Sequence, residues 1–179
     1  MAKPLSEKNN SNYWRLEWLY AITREELLGK EKLQEKLEEN HEEIETQMRI
    51  RKDLIDKQAS FLNEKFTELK PVMEFIQSKQ FRFNHPNLDF LSTRGPILDY
   101  DSDENVLYIF DVIKSEIIKV NVYNQEEIAS VATWKFVEES GNLDNALAGL
   151  NSVLNHQHST LNHYYVDNAS RQRWLEQNC

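Results

Sequence analysis

Between Asn12 and Lys70 the chain meets only one strong helix breaker, Gly29, and Ala, Leu, Glu, Lys, Gln and Arg dominate the span. These residues lose little rotamer freedom in a helix. Glu26 with Lys30, Glu45 with Arg49 and Asp53 with Lys57 stand four apart with the acid first, the favourable order for helical ion pairs. A continuous helix over this span would be roughly 85 Å long, more than the width of a domain built from one chain of this size. The pattern therefore predicts a long helix that either folds back as a hairpin or lies against another chain. Residues 1–11, polar and carrying Pro4, read as a tail before it.

The apolar positions change character along the span. Tyr13, Trp14, Leu16, Trp18, Leu19, Tyr20, Ile22, Leu27 and Leu28 lie on nearly every side of a helix, which suits burial on several faces or an exposed partner-binding helix. From Lys30 to Gln47 only Leu33, Leu37 and Ile44 mark a thin stripe. Then a heptad sets in. Met48, Ile55, Leu62, Leu69 and Ile76 recur every seven residues, and Ala59, Phe66 and Met73 fill the companion position that Lys52 breaks. That seam matches a coiled coil. It predicts self-association through Met48, Ile55, Leu62, Phe66, Leu69, Met73 and Ile76, hence a homodimer. Pro71 lacks a backbone N–H and predicts a kink or restart.

Residues 80–95 read as a connector plugged by Phe81, Phe83, Leu88 and Phe90. Three strand-like runs follow at 96–101, 106–112 and 117–123, rich in β-branched and aromatic residues and separated by short polar turns, as in an antiparallel meander. Alternation puts Ile118, Val120 and Val122 on one face and Lys119 and Asn121 on the other, so one side of the sheet is expected to be wet. Asn124 and Glu127 form a capping-box pattern for a helix near 125–139, with Gly141 as its C-cap. Leu143, Leu147, Leu150, Leu154, Leu161 and Tyr164 then follow at three-and-four spacing. A short final helix with Arg171, Arg173, Trp174 and Leu175 is expected to dock on the core. No internal repeat stands out. The fold class is α+β: residues 12–79 form a long amphipathic helix, hairpin or coiled coil, and residues 80–179 a small antiparallel β-meander packed with two or three helices.

Charge narrows the function. Residues 1–80 hold 14 Lys/Arg against 16 Asp/Glu, whereas residues 81–179 hold 7 against 14. Phosphate neutralisation supplies most nucleic-acid affinity, so the C-terminal half predicts no direct nucleic-acid binding. No window approaches the ~20 apolar residues of a membrane span, and the N-terminus lacks a signal-peptide run. A single cysteine, Cys179, gives no internal disulfide and no cysteine zinc site. A cytoplasmic protein is expected.

The chemical motifs fall short one by one. Asp99, Asp101 and Asp103 imitate the start of a calcium loop, but Glu104 stands where the turn needs Gly and Phe110 where it needs the bidentate Glu. His156, His158 and His163 do not converge on one ion from a single helix and read as surface residues. Nucleophile elbows and Gly-rich phosphate cradles are absent. Glu138 and Glu139, or Glu126 and Glu127, are adjacent helix positions that diverge by about 100°, so neither pair makes an acid/base dyad. Arg171 and Arg173 are too few for nucleic-acid affinity alone. The sequence therefore predicts neither an enzyme nor a cofactor or metal site. It predicts a non-catalytic interaction module, an adaptor dimerised by its coiled coil, whose acidic C-terminal domain binds a protein partner, one with a basic surface, through Asp99, Asp101, Asp103, Glu104, Asp111 and Glu116. The alternative is an acidic inhibitor or immunity-type protein that blocks a basic, nucleic-acid-binding site; an enzyme without a readable motif stands third.

Overall fold

The computed structural model describes residues 20–140 and 142–178. The expectations placed on the tail, on Tyr13 through Leu19, on the Gly141 cap and on Cys179 lie outside these residues. The chain divides into two compact units at Leu54/Ile55.

In the first unit the helical span divides at Gly29, the breaker visible in the sequence, into a short capped helix and a long one. Thr23 accepts a hydrogen bond from the Glu26 N–H through its hydroxyl, and the Glu26 carboxylate accepts one from the Thr23 N–H at 2.7 Å. This capping box satisfies two backbone donors at once and starts a five-residue helix α1, Arg24–Leu28, which ends at Gly29. Helix α2, Lys30–Ser78, follows. The Asn40 side chain donates to the Tyr20 carbonyl at 2.8 Å, and the Lys36 ammonium stands 5.8 Å from the Tyr20 ring, so Tyr20 lies beside α2.

The second unit is a four-stranded antiparallel meander, β3 (Ile97–Asp101), β4 (Val106–Asp111), β5 (Glu116–Asn121) and β6 (Glu127–Val131), in the order β3-β4-β5-β6. A two-stranded hairpin, β1 (Phe83–Asn84) with β2 (Leu91–Ser92), precedes it. Helices α3, Thr133–Ser140, and α4, Leu143–Asn178, close the chain. The α+β class read from the sequence is the class observed.

The meander carries a ten-residue repeat that composition hides. Asp101, Asp111 and Asn121 each end a strand, and each side-chain oxygen accepts hydrogen bonds from the N–H groups two and three residues on. Four residues after each, Asn105, Ser115 and Gln125 adopt positive φ of 55°, 56° and 60°. The side-chain bond offers the backbone a local turn in place of a ladder, and the left-handed residue returns the chain to the next strand. Ser92 does the same for Arg94 and Gly95 before β3.

This repeat overrules the capping box expected at Asn124 and Glu127. Asn121 captures the turn, and residues 127–131 pair with β5 instead of starting a helix. The helix starts only at Thr133, whose hydroxyl donates to Asn63 on α2 at 2.7 Å.

Both faces of the sheet are covered, against the expectation of a wet side. On one face Leu98, Val106, Tyr108, Phe110 and Ile117 meet Ala59, Leu62, Phe66, Leu69, Met73 and Ile76 of α2, Phe136 and Val137 of α3, and Ala146, Leu150 and Val153 of α4. Phe66 stacks on Phe110 with ring centroids 4.1 Å apart. On the other face Ile97, Leu107, Ile109, Ile118 and Val120 lie beneath Leu88 and Phe90 of the supposed connector. β4 is buried along its whole length. Pro71 does not break α2, although it removes one helical hydrogen bond; Leu69, Met73 and Ile76, buried on either side of it, hold the helix to the sheet.

The heptad therefore has two fates. Leu62, Phe66, Leu69, Met73 and Ile76 are 0–5% exposed and belong to the core of the chain itself, and Ile55 packs at its margin. Those five side chains are not free to pair with a second copy while the domain is folded. Met48 is 66% exposed. α4 also differs from expectation: it runs unbroken to Asn178, and Trp174 and Leu175 are exposed rather than docked.

Candidate functional site

The register of the meander builds a polar cleft. Asp99 pairs with Tyr108, and Tyr108 with Lys119, so three polar side chains stand in a row across β3, β4 and β5 on the helix-facing side. The β3–β4 turn adds Asp101, Ser102 and Glu104, and the end of α3 adds Glu139 and Ser140; together they line a cleft of about 490 Å³.

Lys119 is the hub. Its ammonium stands 3.3 Å from Glu139, 3.6 Å from Glu104 and 5.2 Å from the Tyr108 ring centroid. The Tyr108 hydroxyl donates to Glu139 at 3.3 Å. Burial works against the charge on Lys119, yet the hydrogen bonds to Tyr108 and Glu139 outweigh it and hold the ammonium well above its ordinary range. Burial pushes the Tyr108 phenol up, with Lys119 opposing. Burial likewise raises Glu139, but Lys119 overcomes it and holds the carboxyl below its usual value. At neutral pH the trio is an ammonium, a phenol and a carboxylate. A protonated lysine and a protonated tyrosine supply no base, which leaves the Glu139 carboxylate as the proton acceptor of the trio.

Asp99 is 8% exposed and accepts from the Asn145 side chain at 3.0 Å. Asp101 uses one oxygen to cap its turn. Asp103 is exposed at the turn. The other two acidic residues of the expected patch lie elsewhere. Asp111 is buried, caps the β4–β5 turn and stands 3.7 Å from Arg94; Glu116 is half-buried, 3.9 Å from Lys114. They belong to an ionic cluster in which Glu127 bridges Arg94 at 2.9 Å and Lys114 at 2.6 Å. The six residues read as one patch thus form two groups, at opposite ends of β4, and Asp101 and Asp111 have folding work of their own.

Tyr108, Lys119 and Glu139 escaped the sequence reading. The turn spacing carried a signal for the first two, because the ten-residue repeat sets 99, 108 and 119 side by side, whereas Glu139 arrives on α3. His156 also departs from expectation. It is buried, donates through Nε2 to the Arg82 carbonyl at 3.0 Å and leans on Phe81 and Phe83, whereas His158 and His163 are exposed. Among the described residues no three His, Cys, Asp or Glu side chains are grouped to hold a metal ion, and no helix is long and apolar enough to cross a membrane.

No family model, curated protein or solved structure matches the chain.

Proposed function

We propose that the chain is a non-catalytic protein–protein interaction module that self-associates through the first half of α2 and offers its acidic α+β domain to a protein partner. One observation carries this reading. Among the described residues from Tyr20 to Leu54 none is buried, although Leu27, Leu28, Leu37, Ile44, Met48, Ile50 and Leu54 are among them. A helical unit without a core of its own gains little stability from propensity alone, and exposed apolar residues in such number mark an interaction surface. Tyr20, Ile44 and Met48 line a groove of about 650 Å³ rimmed by Asn40, Glu43, Gln47 and Arg51, an apolar centre within a polar border. In a two-fold dimer the exposed Ile44–Met48 stripe of one copy would lie against the same stripe of the other.

Dilution tests it. If association supports the helix, the ellipticity at 222 nm weakens as the chain is diluted from about 100 to about 1 μM, a range set by the micromolar affinities of modest interfaces. Helicity and mass that both stay constant, with the mass that of a monomer, contradict the reading.

A second reading, an acidic inhibitor of a basic site, has its own support in the carboxylates gathered at the cleft. It predicts a partner lost steeply with added salt and displaced by DNA or RNA.

A further inference from the structure

The first half of α2 carries its charge in two blocks. Residues 38–45 hold five Glu and no Lys or Arg, and residues 46–52 hold Arg49, Arg51 and Lys52 and no acid. Of these eight charged side chains Glu43 is half-buried and the others are exposed. The blocks meet at the groove of Ile44 and Met48, which Glu43 rims on the N-terminal side and Arg51 on the C-terminal side. A helix in isolation is steadied by acids and bases interleaved at three-and-four spacing, and like charges four apart weaken it. Glu38 with Glu42 and Glu39 with Glu43 stand at that unfavourable spacing. Segregated charge of this kind is offset when a surface of the reverse polarity lies against it.

A second copy offers that surface in one orientation. A parallel pair in register sets the Glu block beside the Glu block and Arg51 beside Arg51. An antiparallel pair crossing near Gln47 sets Glu42, Glu43 and Glu45 level with Lys52, Arg51 and Arg49 of the second copy, and the two-fold axis repeats the set. The same crossing leaves Ile44 of each copy beside Met48 of the other.

We propose that a second copy lies antiparallel on the first half of α2, with the two-fold axis near Gln47. The assignment rests on the self-association reading and adds the orientation to it. Each exposed pair contributes little by itself, but the parallel arrangement turns every attraction into a repulsion, and the difference between the two sets the orientation.

The test is a distance between nitroxide labels on the full chain. The variant Gln34→Cys, Cys179→Ser places one label per copy at an exposed position of α2, since Cys179 is the single native thiol. With the axis near Gln47 the two labels stand about 39 Å apart along the helices. A parallel pair brings them within about 20 Å. Double electron–electron resonance of the dimer is expected to give the long distance. A second measurement uses the unmodified chain. Its dimer dissociation constant is expected to rise several-fold between about 50 and about 500 mM salt, as attraction between exposed charges is screened; a parallel pair would tighten. The short distance, or a dissociation constant that holds or falls as salt rises, overturns the antiparallel assignment and, with the dimer mass retained, leaves the self-association standing. A native chain that sediments as a monomer overturns both and gives the groove to another occupant.

Discussion

Asp101, Asp111 and Asn121 each satisfy two backbone N–H groups that a tight turn would otherwise leave to solvent. Replacing any one with Ala is expected to cost about 1 kcal/mol, read as a lower urea midpoint at unchanged slope. Asp111→Ala is expected to cost the most, because its carboxylate is buried and faces Arg94. A charge reversal at Asp101 therefore disturbs the fold as well as the surface. Gly149 marks a close approach between α4 and β3. A Cβ there would lie 1.9 Å from the Ile97 carbonyl oxygen and 2.9 Å from His85, so α4 sits on β3 only because this residue has no side chain. Gly149→Ala is expected to destabilise by about 3 kcal/mol, and an unchanged thermal midpoint would show that α4 can slide. Glu127 gives a pH signature. Its hydrogen bond to Lys114, with Arg94 adding to it against burial, holds the carboxyl below its ordinary value of 4.5. The stability it contributes is full above the unfolded value and is lost as pH falls through the lower folded one. Glu127→Gln should accordingly flatten the acid limb of the stability curve and leave its slope near neutrality alone.

At the scale of elements, apolar spacing was the reliable guide and local capping patterns were not. The three-and-four rhythm from Ala59 to Ile76 does mark a face that packs, but periodicity says only that the face is covered, not whether the cover is another chain or a sheet. Here the stacked Phe66 and Phe110 answer that the sheet takes it. The run 106–112 was legible as a strand because five of its seven residues are β-branched or aromatic, which suits burial on both faces. Residues 127–131 were misread because an Asn-x-x-Glu pattern fits either a helix start or the exit from a side-chain-capped turn, and the choice depends on the neighbouring strand. Thr23 and Glu26 show the converse, a true capping box inside a span that looked continuous. Beyond His156, α4 buries no described residue. Trp174→Ala is therefore expected to change stability by less than about 0.5 kcal/mol; a larger loss in the thermal midpoint would restore the docked helix that the sequence suggested.

For the molecule as a whole, the two units differ in what holds them. The unit from Ile55 on has a layered core, three helices on one face of a sheet and a hairpin segment on the other. The described part of the unit before it has none, and its apolar residues point outward. The cleft was only partly legible: Asp99, Asp101 and Glu104 stood out as a charge run, Tyr108 and Lys119 join them through a strand register that shows only in the ten-residue turn spacing, and Glu139 comes from α3. The claim on which the functional reading turns is that Ile44 and Met48 meet a second copy. Sedimentation equilibrium of the full chain beside the double variant Ile44→Asp, Met48→Asp measures it directly. Both positions are exposed, 57% and 66%, so the variant is expected to fold. A dimer mass is expected for the native chain at tens of micromolar, in the range of modest interfaces, and a monomer mass for the variant. A native chain that is already a monomer there, or a variant that remains a dimer, contradicts it.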